Sequence, residues 1–301
     1  MGCDAAKVMY EPGHQRRQEI LESGQVRKTM QEEKQIPEES LFLNMRRVNV
    51  ARGGKVVLKD LNLQIATGEH LAILGPNGCG KSTLLQTLTC EIYPVFHPET
   101  RMTVFGRERW DVQELRRHLG VVGSELPGGR TARTKGLDAV ISGFFSSSTI
   151  WPNFEVTGEM RESGMEALER LEAVHLRDRL VGHMSAGEAR RVMIARALVH
   201  KPEMLLLDEP SNALDLGAQR ELREILRGLA RDPSGQHPTG IIIVTHLLAD
   251  ILPEIDRVIM MRDGRIAGDG TKRALLTTGK LGELFGVKVD LVERDGYWHS
   301  W

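Results

Sequence analysis

The stretch Gly75-Pro76-Asn77-Gly78-Cys79-Gly80-Lys81-Ser82 constrains this chain more than any other. It fits the pattern G-x-x-x-x-G-K-[ST], with the short apolar run His70 to Leu74 before it and the helix-like run Ser82 to Thr89 after it. Strand, glycine-rich loop and helix in that order form a unit with a specific use. Glycines let successive backbone N–H groups turn inward around phosphate oxygens, and the following helix aims its positive end at the same charge. Lys81 is expected to reach the terminal phosphates and Ser82 to ligate Mg2+. A plain glycine-rich turn before a helix would account for the glycines, but not for Lys and Ser in this context.

The apolar runs Met204 to Leu207 and Ile241 to Thr245 have the length and composition of strands buried on both faces of a parallel sheet. Between and after them, Met165 to Val174, Ala186 to Leu198 and Gln219 to Leu229 place apolar residues at helical spacing. Upstream, Leu43 to Val50 and Val56 to Ile65 alternate across the turn signal Gly53-Gly54, which predicts an antiparallel layer. The expected class is α/β, with a mostly parallel sheet core, an N-terminal antiparallel β layer and a helical subdomain.

Two further segments bear on chemistry. The run Leu205-Leu206-Leu207 ends in Asp208-Glu209, which puts two carboxylates at the carboxyl edge of the sheet, where ligands bind in open α/β folds. Asp208 suits the surroundings of a metal ion, and Glu209 suits polarisation of an attacking water. Taken alone, such a strand end can equally cap a helix or lie in a solvated loop. At Met184-Ser185-Ala186-Gly187-Glu188, Ser185 offers an N-cap and Glu188, three residues on, completes a capping box. That arrangement can simply start a helix. It can also bind a second anion at the helix N-terminus, with Gly187 allowing close backbone approach.

Composition sets the outer bounds. The 40 Lys and Arg nearly balance the 41 Asp and Glu, for a net charge of -1, so no nucleic-acid partner is expected from overall charge. Three scattered cysteines, Cys3, Cys79 and Cys90, are too few for a disulfide framework and fit a reducing compartment, so a cytoplasmic location is expected. No apolar run approaches the roughly 20 residues needed to cross a bilayer. Residues 1–40, rich in Glu, Gln, Arg and Lys, are read as a disordered or weakly helical extension. Cys79 lies within the phosphate loop, where a helix N-terminus lowers a thiol pKa and bound nucleotide would shield it. The simpler alternative is that this position contributes only backbone.

With Glu209 to Asp215 and Val244-Thr245-His246 added, the set resembles the ATP-binding cassette (ABC) family over about Leu41 to Gly270. The resemblance is nearest to single-cassette ATPases of iron-complex and molybdate uptake, and it implies a P-loop NTPase of RecA-like type spanning 41–301, with its helical subdomain at about 125–184. It implies ATP and Mg2+ as ligands and a second cassette as partner, because Ser185, Gly187 and Glu188 would contact ATP held on the Gly75–Ser82 loop and Thr83 of the other copy. It gives Lys81, Glu209 and His246 catalytic roles and makes Ser211 to Asp215 a link between sites. The leading expectation is the ATPase subunit of a transporter, peripheral on the cytoplasmic face of a membrane and joined to a permease of other chains. The alternative is a soluble cassette acting in assembly or signalling.

The sequence departs from the family at three positions. Arg52 stands where an aromatic residue usually stacks on adenine; a guanidinium can lie flat on a base, or the residue can belong to a solvated turn. Ser124 stands where a Gln usually touches Mg2+ and relays nucleotide state to the permease, and its reach to a metal is shorter. Ala186 replaces a commoner Gly. The missing Gln and the polar extension favour the soluble alternative.

Overall fold

The computed structural model describes residues 37–231 and 239–301. The extension expected over 1–40 therefore lies almost wholly outside the described residues, apart from a single helical turn at Glu38–Ser40. Strands β1 (Leu41–Arg52) and β2 (Lys55–Ala66) form a hairpin closed by Gly53 and Gly54, both at positive φ, which a two-residue turn needs and glycine supplies without strain. β3 (Leu71–Leu74) and α1 (Lys81–Leu88) flank the glycine loop. β4 (Arg101–Val104), α2 (Val112–His118) and β5 (Leu119–Val122) follow. Then come α3 (Gly136–Ile141), α4 (Gly158–Arg170) and α5 (Ala186–Leu198). The sequence placed the α4 helix at 165–174, but it starts earlier, where Thr157 caps Met160 N–H, and stops at Arg170; Val174 sits in a separate short turn. The chain continues through β6 (Met204–Asp208), α6 (Leu216–Ala230), β7 (Gly240–Thr245), β8 (Arg257–Arg262) and β9 (Arg265–Thr271). Two short helices, α7 (Lys272–Leu275) and α8 (Thr278–Phe285), and the hairpin β10 (Leu291–Arg294) with β11 (Tyr297–Ser300) complete it.

The main sheet has the order β5-β6-β7-β3-β8-β9 and is parallel except at the β8–β9 pair. A second, antiparallel sheet has the order β2-β1-β4. Successive strand residues point to opposite faces, so the main sheet feeds two cores. Ala72, Leu74, Leu205, Leu207, Ile241 and Ile243 pack toward α5 and α6, whereas Leu71, Ile73, Leu206, Ile242 and Val244 pack with α1 and the antiparallel layer. β6 from Met204 to Leu207 and β7 from Ile241 to Val244 are continuous apolar runs because both faces are covered. Truncating one of their Leu or Ile side chains to Ala is expected to cost about 2–5 kcal/mol. Among the described residues no helix is long and apolar enough to cross a membrane.

One buried group makes the fold sensitive to acid. His200 lies beside a cavity of about 310 Å³ shared with Arg116 and Arg196, and neither ring nitrogen has a hydrogen-bond partner. Burial, reinforced by Arg196 and His118, pushes its pKa down to about 4. A depressed histidine adds stability that is complete above its unfolded pKa, near 6.5, and is lost as pH falls toward the folded value. Urea unfolding should therefore show a loss of about 2–3 kcal/mol between pH 7 and pH 4.5 that is missing in His200→Leu.

Candidate nucleotide site

The site is set by strand register. Asp208 pairs with Val244, and Leu74 pairs with Thr245, so β6, β7 and β3 end at one level. Their next residues, Glu209, His246 and Gly75, start from a common edge. Two backbone bonds across the strand ends fix this level: Glu209 N–H donates to Val244 O at 2.7 Å and Gly75 N–H donates to Thr245 O at 3.4 Å.

The loop is packed against its surroundings from beneath. A Cβ on Gly75 would fall 2.4 Å from Met261 O, so only glycine lets the backbone pass there. Gly264, in the β8–β9 turn, donates to Cys79 O at 2.9 Å. Gly80 caps α1 at φ 110° with no side-chain cap, which leaves the helix N–H groups facing outward, as an anion requires. Lys81 is buried and folds over the loop, its Nζ donating to Gly75 O at 2.8 Å and Pro76 O at 3.1 Å. Ser82 and Asn77 are exposed and Thr83 is buried.

Glu209 takes a left-handed backbone, φ 45°, which costs a non-glycine residue about 1–3 kcal/mol. The turn brings its carboxylate to His246, with Oε1 3.0 Å from Nδ1. With the proton on Nδ1, the imidazole donates to Glu209 and leaves Nε2 free. Both side chains border a cavity of about 110 Å³ with Ser211, Thr245 and Asp250. The Asp208 carboxyl is pushed up, first by burial and then by Glu209, while Lys81 and Arg190 pull it down.

Asp250, which sequence reasoning passed over, is a buried anchor. Its Oδ2 accepts from Ser211 and Thr245 hydroxyls, each at 2.8 Å, and so joins the segment after Glu209 to the residue before His246. Burial raises its pKa against those bonds. Its only sequence signal is its place four residues past His246 on an otherwise apolar stretch.

Ser185 and Glu188 form the expected capping box, with Ser185 N–H donating to Glu188 at 2.7 Å. Hydrogen bonding from Ser185 N–H holds the Glu188 carboxyl below its ordinary range, with Arg179 3.1 Å away. A Cβ on Gly187 would meet Ala218 at 2.8 Å, so the glycine is also needed for packing α5 against α6. Among the described residues no hydrogen bond joins Ser185–Glu188 to Gly75–Ser82. Arg52 is exposed at the hairpin tip, the last residue of β1. Ser124 is held by its backbone carbonyl, which accepts from Arg190 at 2.7 Å.

The fold and the glycine loop define a P-loop nucleoside triphosphatase. The chain belongs to the ABC transporter family: its model matches residues 58–212. An uncharacterised ABC transporter ATP-binding protein of Bacillus subtilis, YlmA, is 31% identical over 255 residues, spanning 84% of this chain and 94% of its own. The hemin import ATP-binding protein HmuV of Aliivibrio fischeri is 31% identical, spanning 83% of this chain and 92% of its own. A cassette solved as a dimer in a post-hydrolysis state with ADP and Pi superposes with a TM-score of 0.61 at 25% identity, covering 76% of this chain and 98% of that one. The protein is thus an ATP-binding cassette ATPase, as the motifs implied.

Of the two readings of Cys79, the structure favours the one in which the position contributes only backbone. Cys79 is buried in the apolar core, and burial pushes its thiol up against the pull of Lys81. Burial likewise takes Cys90 up to about 11. Peptide mapping after iodoacetamide treatment at pH 7.5 should show both labelled at least about tenfold more slowly in the folded chain than in urea. Equal rates would restore the reactive-thiol reading of Cys79.

Proposed function

We propose that ATP binds between Gly75–Ser82 of one cassette and Ser185–Glu188 of a second, and that formation and release of this pair drives a membrane permease built from other chains. The observation that carries the reading is the division of the site. One chain gathers the phosphate loop, Glu209 and His246 at neighbouring strand ends, and carries the Ser185 segment at the start of α5 with no hydrogen bond to that loop among the described residues. A second copy, or a related cassette, would complete it, and the dimeric cassette with ADP and Pi supports that arrangement. The hemin import role of HmuV supports the permease and a location on the inner face of a membrane.

Mg2+ fits the residues present. The exposed Ser82 hydroxyl and the Asp208 carboxyl are hard oxygen donors beside a loop so close-packed that a Cβ at Gly75 would collide with backbone. Ser82 and Asp208 would hold the ion, with Ser124 a further donor; bound there, it would neutralise charge on the phosphate oxygens. Lys81 exchanges loop carbonyls for phosphate oxygens. Asn77, Gly78 and Gly80, with the first N–H groups of α1, present backbone donors to them, Gly75 and Pro76 shape the loop, and Thr83 supports the first helical turn. Glu209 polarises the attacking water, and His246, oriented through Nδ1, holds that water and the terminal phosphate through Nε2. Arg52 lies flat against the base. The region from about 125 to 184 acts as the helical subdomain.

One observation favours a soluble cassette in assembly or signalling instead: among the described residues the Ser124 side chain has no hydrogen-bond partner, and its reach is shorter than that of the Gln it replaces.

Lys81→Ala should abolish nucleotide-dependent activity. Glu209→Gln should bind ATP, accumulate as a dimer in size-exclusion runs with Mg-ATP, and turn over about 10²- to 10⁴-fold more slowly. Turnover at the parent rate would remove Glu209 from the water-polarising role. Affinity purification of Glu209→Gln from membranes in Mg-ATP should recover a polytopic protein; recovery of soluble proteins alone would favour the second reading.

A further inference from the structure

A charged side chain, Arg190, occupies the interior where α5, β5 and β6 meet, and none of the roles above uses it. It is 1% exposed and stands five residues past the Ser185 cap on the same helix. Its guanidinium donates through one nitrogen to Gly123 O and through the other to Ser124 O at 2.7 Å, the two carbonyls that follow β5 directly. Val122 pairs with Leu207, so Gly123 lies level with Asp208 on the adjacent strand. Burial lowers the Arg190 pKa and Asp208 raises it, and Arg190 in turn is one of the two cations that lower the Asp208 pKa. Among the described residues its Nε is buried with no hydrogen-bond partner.

Burying a guanidinium is costly, and an apolar residue of similar volume would pack α5 on β5 at less expense. What an apolar residue cannot do is grip two successive carbonyls with a rigid planar fork while placing positive charge beside Asp208. The grip is on backbone, so it does not depend on the residue at 124. We infer that Arg190 is a positioning residue: it fixes the Gly123–Ser124 segment to the N-terminal end of α5, which carries Ser185–Glu188. A displacement of that helix end by an opposing nucleotide then moves the Ser124 segment with it, without a long side chain at 124. The inference rests on the ATPase assignment for its consequence in turnover, but not for the grip itself.

Two variants of the full chain test it. Arg190→Gln removes the charge and the fork; Arg190→Lys keeps the charge and loses the fork. Hydrogen exchange of the nucleotide-free protein should be at least about tenfold faster at the amides of 123–126 in both variants, with the core strands unchanged. In turnover, Arg190→Gln should lower kcat about tenfold, leave the KM for ATP within about twofold and raise the Mg2+ concentration needed for half-maximal rate; Arg190→Lys should keep the Mg2+ dependence near that of the parent. Parental exchange at 123–126 in a folded variant overturns the grip. A lowered melting temperature with parental kcat and Mg2+ dependence overturns the positioning role and leaves only packing. If Arg190→Gln does not fold, Arg190→Lys is read alone by its exchange. A parent chain without ATP turnover would defeat the ATPase assignment, and the exchange result would still decide whether Arg190 holds the segment.

Discussion

The level at which β6, β7 and β3 end is the constraint from which the rest of the site follows. Parallel pairing sets Asp208 against Val244 and Leu74 against Thr245, and each strand is anchored by side chains buried on both faces. A shift of one residue in any of the three would turn every apolar side chain to the opposite core and displace one of Gly75, Glu209 or His246 from the shared edge. The apolar runs therefore place the chemistry, although they take no part in it. The backbone bonds Glu209 to Val244 and Gly75 to Thr245 carry the register past the last paired residues.

Electrostatics at this edge are balanced rather than neutralised. Asp208 is raised by burial and by Glu209 and lowered by Lys81 and Arg190, so a change at any of these neighbours is felt at the others. Asp250 answers a similar burial with two hydroxyl bonds, to Ser211 and Thr245. It thereby ties together the two segments that hold Glu209 and His246, and the Glu209–His246 contact depends on a carboxylate that touches neither.

Much of this was legible in the sequence because it depends on local rules. Periodicity located β6, β7 and α5, and glycine chemistry located the β1–β2 turn and the phosphate loop. The capping box at Ser185 and Glu188 was readable because its two bonds join residues three apart. Other features depend on contacts distant in sequence. Nothing near Arg190 shows that its guanidinium reaches carbonyls 66 and 67 residues earlier. Nothing near Cys79 shows that the loop is buried deeply enough to raise its thiol pKa, where the helix N-terminus alone suggested the reverse. The start of α4 was missed because Gly158 to Gly164 carries little apolar signal, and a Thr cap decides it instead.

The β8–β9 turn has a mechanical consequence. A Cβ on Gly264 would lie 1.9 Å from Val57 O, so the turn is wedged against β2 while its N–H holds the phosphate loop at Cys79. Phosphate loop, turn and antiparallel layer are thus bolted into one block, with no slack between the part that would meet a base and the part that would meet phosphates. A nucleotide can be gripped along its length without deforming this block. Any large displacement that accompanies the cycle must then be taken up elsewhere, and the stretch that leaves β5 at Gly123 and Ser124, which Arg190 ties to α5 and not to this block, is free to move with that helix.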